Sequence, residues 1–175
     1  MINKPKVVVS RCLGFEICRW NGAAIENSII YDLRQSLDFI TVCPECEIGL
    51  GVPRQPILMV QSSADLCLVQ PATGVDLTDR MNSFSHQYLK SLGPVDGFLL
   101  KRKSPSCGLS KVPIFVAPDS EEPFADGSGF FARVVLEHFP GIAVVDEAQL
   151  DDSTMRESWL KVIFNRARLR IAQYE

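Results

Sequence analysis

Four short apolar runs alternate along the chain with segments whose apolar residues recur at helical spacing. The runs cover residues 6–10, 39–42, 95–100 and 142–145, and the helical segments begin near residue 28 and cover 77–92 and 129–139. Short runs rich in β-branched residues are typical of parallel strands that are covered on both faces. The alternation therefore predicts an α/β fold, with a mainly parallel sheet and helices on both of its faces.

Three further segments are predicted to lie beside this alternation. Residues 57–60 and 66–69 are apolar runs separated by a polar turn, which predicts a β-hairpin inserted beside the main sheet. Residues 112–116 predict another strand, which Pro113 restricts to a sheet edge or a strand start because proline lacks a backbone N–H. Residues 118–129 are acidic and rich in turn-forming residues, so we expect a surface loop there.

A long C-terminal helix is predicted from Asp151 onward, with Thr154 and Glu157 at the spacing of a capping box. Five apolar residues are expected to share one face of this helix: Met155, Trp159, Val162, Ile163 and Leu169. We therefore divide the chain into an α/β domain at residues 1–150 and a C-terminal helix at residues 151–175.

Composition narrows the classes of function. No stretch approaches the roughly 18 uncharged apolar residues of a membrane helix, and the first residues lack the apolar core of a secretion signal. We therefore expect a cytoplasmic protein that does not enter a membrane. In that reducing compartment, six cysteines indicate metal binding, catalysis or burial rather than disulfide bonds. A net charge of -3 argues against wholesale coating of nucleic acid but allows a local basic patch.

Three cysteines, Cys12, Cys43 and Cys107, each follow the carboxyl end of a predicted strand. Ligands of parallel sheets bind outside the carboxyl ends of the strands, so the three thiols are expected to meet at one edge. Three thiolates without a fourth ligand suit an iron–sulfur cluster that leaves one iron open. The basic residues 101–103 precede Cys107 and are expected to favour its thiolate form.

Polar side chains beside these cysteines supply candidate catalytic and binding groups. Glu45 lies two residues after Cys43 and is predicted to act as general acid or base, and Ser104 is predicted to relay a proton. Four residues are predicted to contact the substrate: Arg54, Arg19, Lys101 and Ser106. Basic residues at this edge form a surface suited to a nucleotide phosphate or an RNA backbone: Arg11, Arg19, Lys101, Arg102 and Lys103.

Zinc is the main alternative. Cys43 and Cys46 form a Cys-x-x-Cys pair, and Cys12 with Cys18 would complete a tetrahedral site. Such a site would stabilise a non-catalytic module that binds RNA through its basic edge. A thioredoxin-like role for Cys43 and Cys46 is disfavoured, because Pro44 and Glu45 do not predict the helix N-terminus that such a pair needs. A sulfur carrier would need Cys46 or Cys18 as an essential reactive thiol.

Two residues are expected to be buried in the core. Cys67 lies inside an apolar run and is predicted to be a small buried residue. Burial is also the expectation for Trp20, and stacking on a base is the alternative.

Six short motifs occur in order between residues 7 and 145. They are Ser-Arg-Cys-Leu-Gly at 10–14, Cys-Arg-Trp-Asn-Gly at 18–22, Cys-Pro-Glu at 43–45, Gly-Leu-Gly-Val-Pro-Arg at 49–54, Gly-Val-Asp-Leu-Thr at 74–78 and Ser-Pro-Ser-Cys-Gly at 104–108. Together these motifs resemble the thiouracil desulfidase (TudS) family. The Trp-Asn pair at 20–21 stands where the family pattern has Tyr-Asp, and Cys46 lies where it has no thiol.

The resemblance implies a Rossmann-like α/β fold and a [4Fe-4S] cluster held by Cys12, Cys43 and Cys107. It implies that Glu45 is the acid/base and that Ser104 relays a proton. The expected reaction converts a thiolated pyrimidine base, nucleotide or tRNA nucleoside into its oxygen counterpart and releases hydrogen sulfide. Residues 47–54 and 150–166 are similar to the two-domain relatives, which are linked to 4-thiouracil ribonucleotides and thiolated tRNA, so residues 151–175 would begin a second domain.

Overall fold

The computed structural model describes residues 4–63 and 65–172, which form two sheets and five helices. The strands are β1 (Lys6–Ser10), β2 (Asp38–Val42), β3 (Leu58–Gln61), β4 (Leu66–Gln70), β5 (Val75–Asp76), β6 (Gly97–Leu100), β7 (Val112–Phe115), β8 (Ala125–Gly127) and β9 (Ala143–Asp146). The helices are α1 (Ser28–Leu33), α2 (Pro44–Glu47), α3 (Thr78–Ser91), α4 (Phe130–His138) and α5 (Ser153–Ala172), and a 3-10 turn at Gln149–Asp151 precedes α5.

The main sheet has four strands in the order β2-β1-β6-β9, and all of its neighbouring pairs are parallel. The central strand β1 is buried on both faces, with Val7, Val8 and Val9 at 0% exposure. Residues of α3 and α4 pack on one face of the sheet, and residues of α1 and α5 pack on the other. The predicted α/β architecture is therefore confirmed.

A second sheet of five strands lies beside the main one, in the order β5-β4-β3-β7-β8. The predicted hairpin is present as the antiparallel pair β3 and β4, but it forms part of this larger sheet. Strand β7 has a neighbour on each side, β3 and β8, so the alternative of an edge position is wrong. Pro113 is the second residue of β7 and precedes Ile114, where pairing with β3 begins, so its missing N–H interrupts no hydrogen bond between these two strands.

Helix α5 contributes to the core beneath the main sheet through Trp159, Ile163 and Ala167. These residues follow a four-residue spacing, which stays on one face of an α-helix. The prediction is wrong for Met155, Val162 and Leu169, which are 43%, 43% and 58% exposed because the buried stripe passes beside them.

The start of α5 is capped differently from the prediction. The backbone N–H of Met155 donates to Asp152 Oδ1 at 3.0 Å, so Asp152 rather than Thr154 caps this helix. Helix α1 is capped by Asn27, whose Oδ1 accepts the backbone N–H of Ile30 at 3.0 Å. Within the described residues, no helix combines the length and the apolar character needed to cross a bilayer.

Gly97 tests how closely α5 packs on the sheet. A Cβ atom at this position of β6 would lie 2.7 Å from Ile163 Cγ2 and 2.9 Å from the Ala143 carbonyl oxygen. We predict that Gly97→Ala lowers the free energy of unfolding by about 1–3 kcal/mol, because the added methyl group overpacks this contact. Urea unfolding followed by circular dichroism measures the change. Gly93→Ala is the matched control, since nothing lies within 4 Å of a Cβ there; an equal loss in both variants would contradict the prediction.

Candidate active site

The segments that follow β1, β2 and β6 enclose a cavity of about 600 Å³ at the carboxyl edge of the main sheet. Cys12, Cys43 and Cys107 all line it. The structure therefore brings together three thiols that are far apart in sequence, as their positions after the strands predict. The other residues predicted for the site line the same cavity: Glu45, Ser104, Arg54, Arg19, Lys101 and Ser106.

Backbone hydrogen bonds hold the three segments against one another. Arg11 N donates to the Val42 carbonyl at 2.8 Å, which extends the pairing of β1 and β2 into the segment that carries Cys12. Lys101 N donates to Ser10 Oγ at 2.9 Å, which ties the segment after β6 to the end of β1. Cys43 is the N-cap residue of α2, so its position depends on the helix that directly follows β2.

The Ser-Pro-Ser-Cys segment after β6 is folded onto itself and onto α4. Ser104 Oγ accepts the N–H of Cys107 at 3.1 Å, and the Ser104 carbonyl accepts the N–H of Gly108 at 2.8 Å. The carbonyls of Pro105 and Ser106 accept backbone N–H groups from the first turn of α4, each at 3.0 Å. These bonds satisfy donors that a helix N-terminus otherwise leaves without partners.

Two glycines make this close packing possible. A Cβ atom at Gly129, which directly precedes α4, would lie 2.5 Å from the Ser106 carbonyl oxygen. At Gly108 a Cβ atom would lie 2.3 Å from Val112 Cγ2 and 2.9 Å from the Ser104 carbonyl oxygen. A larger residue would fit at neither glycine unless the backbone of the segment moved.

The surroundings of Cys43 and Cys107 favour the thiol over the thiolate. Burial raises the pKa of Cys107 to about 12. A hydrogen bond with Cys18, together with burial, raises the pKa of Cys43 far above its ordinary value. The expectation that the basic residues at 101–103 favour the Cys107 thiolate is therefore wrong, because burial outweighs them and the Lys101 ammonium pairs with Glu147. Metal binding to these thiols must release their protons.

Cys18 and Cys46 lie close to the predicted ligands. The Cys18 side chain is 2% exposed, and hydrogen bonding to Cys12 raises its pKa to about 12. The Sγ atoms of Cys43 and Cys46 each lie 3.9 Å from the Cys18 carbonyl oxygen. The Cys43–Cys46 pair does lie at the start of a helix, α2. The expectation that this pair lacks a helix N-terminus is therefore wrong.

A zinc site is the alternative use of these thiols. Among residues 4–63 and 65–172, no three Cys, His, Asp or Glu side chains are grouped closely enough to hold one metal ion. Thiolates around one zinc ion all lie about 2.3 Å from it, whereas the ligands of a cluster bind different irons and lie farther apart. Cys18 contacts both Cys12 and Cys43, and the tetrahedral zinc site of Cys12, Cys18, Cys43 and Cys46 stays a prediction.

Glu45 is a buried acidic residue that contacts one arginine and two serines. Its side chain is 12% exposed and forms an ion pair with Arg54, whose side chain is 6% exposed. Arg54 Nε and Nη2 donate to Glu45 Oε2 at 3.0 and 2.7 Å. Burial lowers the pKa of Arg54, but the charge of Glu45 raises it above its ordinary value overall.

Two serines contact the other carboxylate oxygen. Ser106 Oγ lies 2.8 Å from Glu45 Oε1, and Ser104 Oγ lies 3.5 Å from the same atom. The two hydroxyls lie 3.0 Å apart, and Ser106 Oγ is also 3.8 Å from Cys107 Sγ. A continuous path of hydrogen bonds therefore connects Ser104, Ser106 and Glu45, with Ser106 as the closer partner of the carboxylate.

The mouth of the cavity combines basic side chains with an exposed aromatic ring. Trp20 lines the cavity and is 47% exposed, so the expectation of core burial is wrong. Arg19 and Arg102 lie at the same mouth. Lys101 is held by Glu147, which also accepts the backbone N–H of Arg102 at 2.7 Å.

Cys67 lies in β4, outside this cavity, and it is only partly buried.

We predict that Cys107 of the metal-free protein reacts with iodoacetamide far more slowly than Cys67. Cys107 is 4% exposed, and its pKa of about 12 leaves about a thousandfold less thiolate than an ordinary cysteine has at pH 8. Labelling should rise with pH, because deprotonation limits it. Peptide mass spectrometry over time measures both rates. Gly129→Ala should speed labelling of Cys107 by displacing its segment; equal rates for both cysteines would refute this account.

Known proteins are similar to this chain over most of its length. A family model described as 2-thiouracil desulfurase matches residues 7–147. The uncharacterized protein YbbK of Bacillus subtilis (strain 168) is 28% identical over 154 residues, which are 83% of this chain and 98% of YbbK.

A solved structure is also similar over most of the chain. It is that of the [4Fe-4S]-dependent thiouracil desulfidase TudS, with a TM-score of 0.65 and 28% sequence identity. The match covers 89% of this chain and 99% of TudS. The residues that the family model matches run from β1 to the end of β9. They include the three segments that follow β1, β2 and β6 and carry Cys12, Cys43 and Cys107. The chain therefore belongs to the 2-thiouracil desulfurase family.

Proposed function

We propose that this protein removes sulfur from thiouracil-containing substrates, converting them into the uracil form and releasing sulfide. The observation that carries the proposal is the convergence of Cys12, Cys43 and Cys107 on one cavity that also contains Glu45. Membership of the 2-thiouracil desulfurase family and the similarity to TudS support the same reaction.

A [4Fe-4S] cluster is the cofactor that we propose for this site, because TudS depends on one. The donor set fits the group, because three thiols from separate segments line one cavity. Cys12, Cys43 and Cys107 would hold the cluster. When bound, it supplies an iron without a protein ligand, which can accept sulfur and stabilise the charge on it.

Glu45 is the residue that we propose as general base. The overall reaction consumes one water, whose oxygen replaces the sulfur on carbon, and both protons of that water leave with the sulfide. The carboxylate of Glu45 is paired with Arg54 and accepts hydrogen bonds from Ser106 and Ser104, so it is arranged to accept a proton from water. Ser104, connected to Glu45 directly and through Ser106, is placed to return a proton to the departing sulfur.

The mouth of the cavity is the part that we propose to bind the rest of the substrate. Arg19 and Lys101 line it, and Trp20 presents an exposed ring there. Positive side chains at this place suit a phosphate of a thiolated nucleotide or of tRNA. Ser106 and Arg54 lie deeper, where their contacts with Glu45 limit direct contact with substrate. All six cysteines are free thiols, which supports a reaction in the reducing cytoplasm.

The proposed ligands make a direct prediction about cluster content. Replacing Cys12, Cys43 or Cys107 with Ala should each abolish the brown absorbance and lower bound iron and sulfide after anaerobic reconstitution, because a missing thiolate removes one of only three ligands. Cys67→Ala is the matched control and should keep full cluster content, since Cys67 lies in β4, away from the cavity. Normal iron content in all three ligand variants would reject the assignment.

The catalytic assignment is tested by measuring sulfide released from thiolated uracil bases, nucleotides and tRNA under anaerobic conditions. Wild-type protein with bound cluster should release sulfide from at least one of them. Glu45→Gln should keep the cluster but lower kcat by about 10²–10⁴-fold, because the amide cannot accept the proton from water. Ser104→Ala should lower kcat by a smaller factor. Unchanged turnover in Glu45→Gln would remove Glu45 from the mechanism.

A further inference from the structure

The guanidinium of Arg54 uses most of its hydrogen bonds on the protein itself. Nε and Nη2 both donate to Glu45 Oε2, and Nη1 donates to the carbonyls of Cys18 at 3.0 Å and Gly51 at 3.1 Å. Nη1 also lies 3.8 Å from Cys46 Sγ. Arginine has five N–H donors, two of them on Nη1, so these contacts leave a single N–H, on Nη2, for any other acceptor. Arg54 therefore has few donors left to bind an anionic substrate.

Arg54 joins two separate parts of the site. On one side it holds the carboxylate of Glu45, which lies directly behind the Cys43 segment. On the other side it holds Cys18, whose side chain contacts Cys12 and Cys43. The backbone N–H of Arg54 adds a further link, since it donates to the Trp20 carbonyl at 2.8 Å. One residue thus connects the candidate base, the cysteine segments and the backbone of Trp20.

A planar guanidinium fixes the direction of a carboxylate as well as its distance, because two of its N–H groups point at the acceptor together. Both donors of Arg54 converge on Oε2, which leaves Oε1 facing Ser106 and Ser104. The carboxylate is therefore held from both sides, by the arginine on Oε2 and by the serines on Oε1. A lysine at this position keeps the charge but, as a single point donor, does not impose the same orientation.

We propose that Arg54 is a positioning residue of the reaction, which orients the Glu45 carboxylate toward the serines and fixes the Cys18–Trp20 segment beside it. This inference rests on the proposed function, because it assigns Arg54 a role through Glu45. It differs from a substrate-binding role in the kinetic constant that it affects. Loss of orientation lowers kcat, whereas loss of a substrate contact raises KM.

The test compares Arg54→Met and Arg54→Lys with wild-type protein, all with cluster content measured by iron and absorbance. We expect Arg54→Met to lower kcat by about 10²-fold, the effect of misplacing a catalytic group by about 1 Å, with KM changed by no more than about threefold. Arg54→Lys should recover part of kcat. Arg168→Met removes the same charge from an exposed position on α5 and should leave both constants unchanged. A raised KM with kcat kept in both variants would overturn the inference.

A double variant shows whether Arg54 acts through Glu45. In the Glu45→Gln background, Arg54→Met should lower kcat by no more than about twofold further, because residues that act as a unit are not additive. A full, independent loss in that background would overturn the inference. If Arg54→Met loses its cluster or does not fold, the split between kcat and KM in Arg54→Lys decides.

A second readout does not depend on turnover. In the metal-free protein, amide hydrogen exchange of the peptide that covers residues 15–22 should be faster in Arg54→Met than in wild-type protein and in Arg168→Met, because the link to the Cys18 carbonyl is lost. Unchanged exchange there would reject the link. A wild-type protein that releases no sulfide from any thiolated substrate overturns the proposed function itself, and the exchange result then still reports separately on the structural part.

Discussion

The parallel pairing of β1 with β2 on one side and β6 on the other is the constraint on which the site depends. Strands that run in the same direction end at the same edge, so the residues that follow them are brought together whatever their separation in sequence. Cys12, Cys43 and Cys107 each occupy this place. An antiparallel arrangement of the same strands would send one of these segments to the far edge and divide the donor set.

Much of this arrangement is predictable because it depends on local patterns. The apolar runs and the helical periodicity predict the main sheet, and the position of each cysteine after a run then predicts the shared edge. The second sheet is harder to predict, because β5 has two residues and β8 has three, too few to show an alternating pattern. β5 pairs with β4 across a short turn, and β8 pairs with β7 across the irregular residues 116–124. The division of the chain near residue 150 stays a prediction.

Three properties of the site depend on surroundings that the sequence does not show. The state of the Cys107 thiol follows from burial rather than from the basic residues before it, since Lys101 turns toward Glu147. Trp20 has a large apolar side chain, as many core residues do, but it lies exposed at the mouth of the cavity. The ion pair of Glu45 and Arg54 joins residues nine positions apart through an irregular segment, for which no periodicity gives the geometry.

The contact between the Ser-Pro-Ser-Cys segment and the first turn of α4 has a consequence for how a substrate is received. The carbonyls of Pro105 and Ser106 are the acceptors of that turn, so any displacement of the segment would strand buried amide groups. The Ser-Pro-Ser-Cys segment therefore resists movement when a molecule enters the cavity, and little free energy is then spent on reorganising this side of it. This side of the cavity is therefore already in place before any molecule enters, and it does not need to close around one.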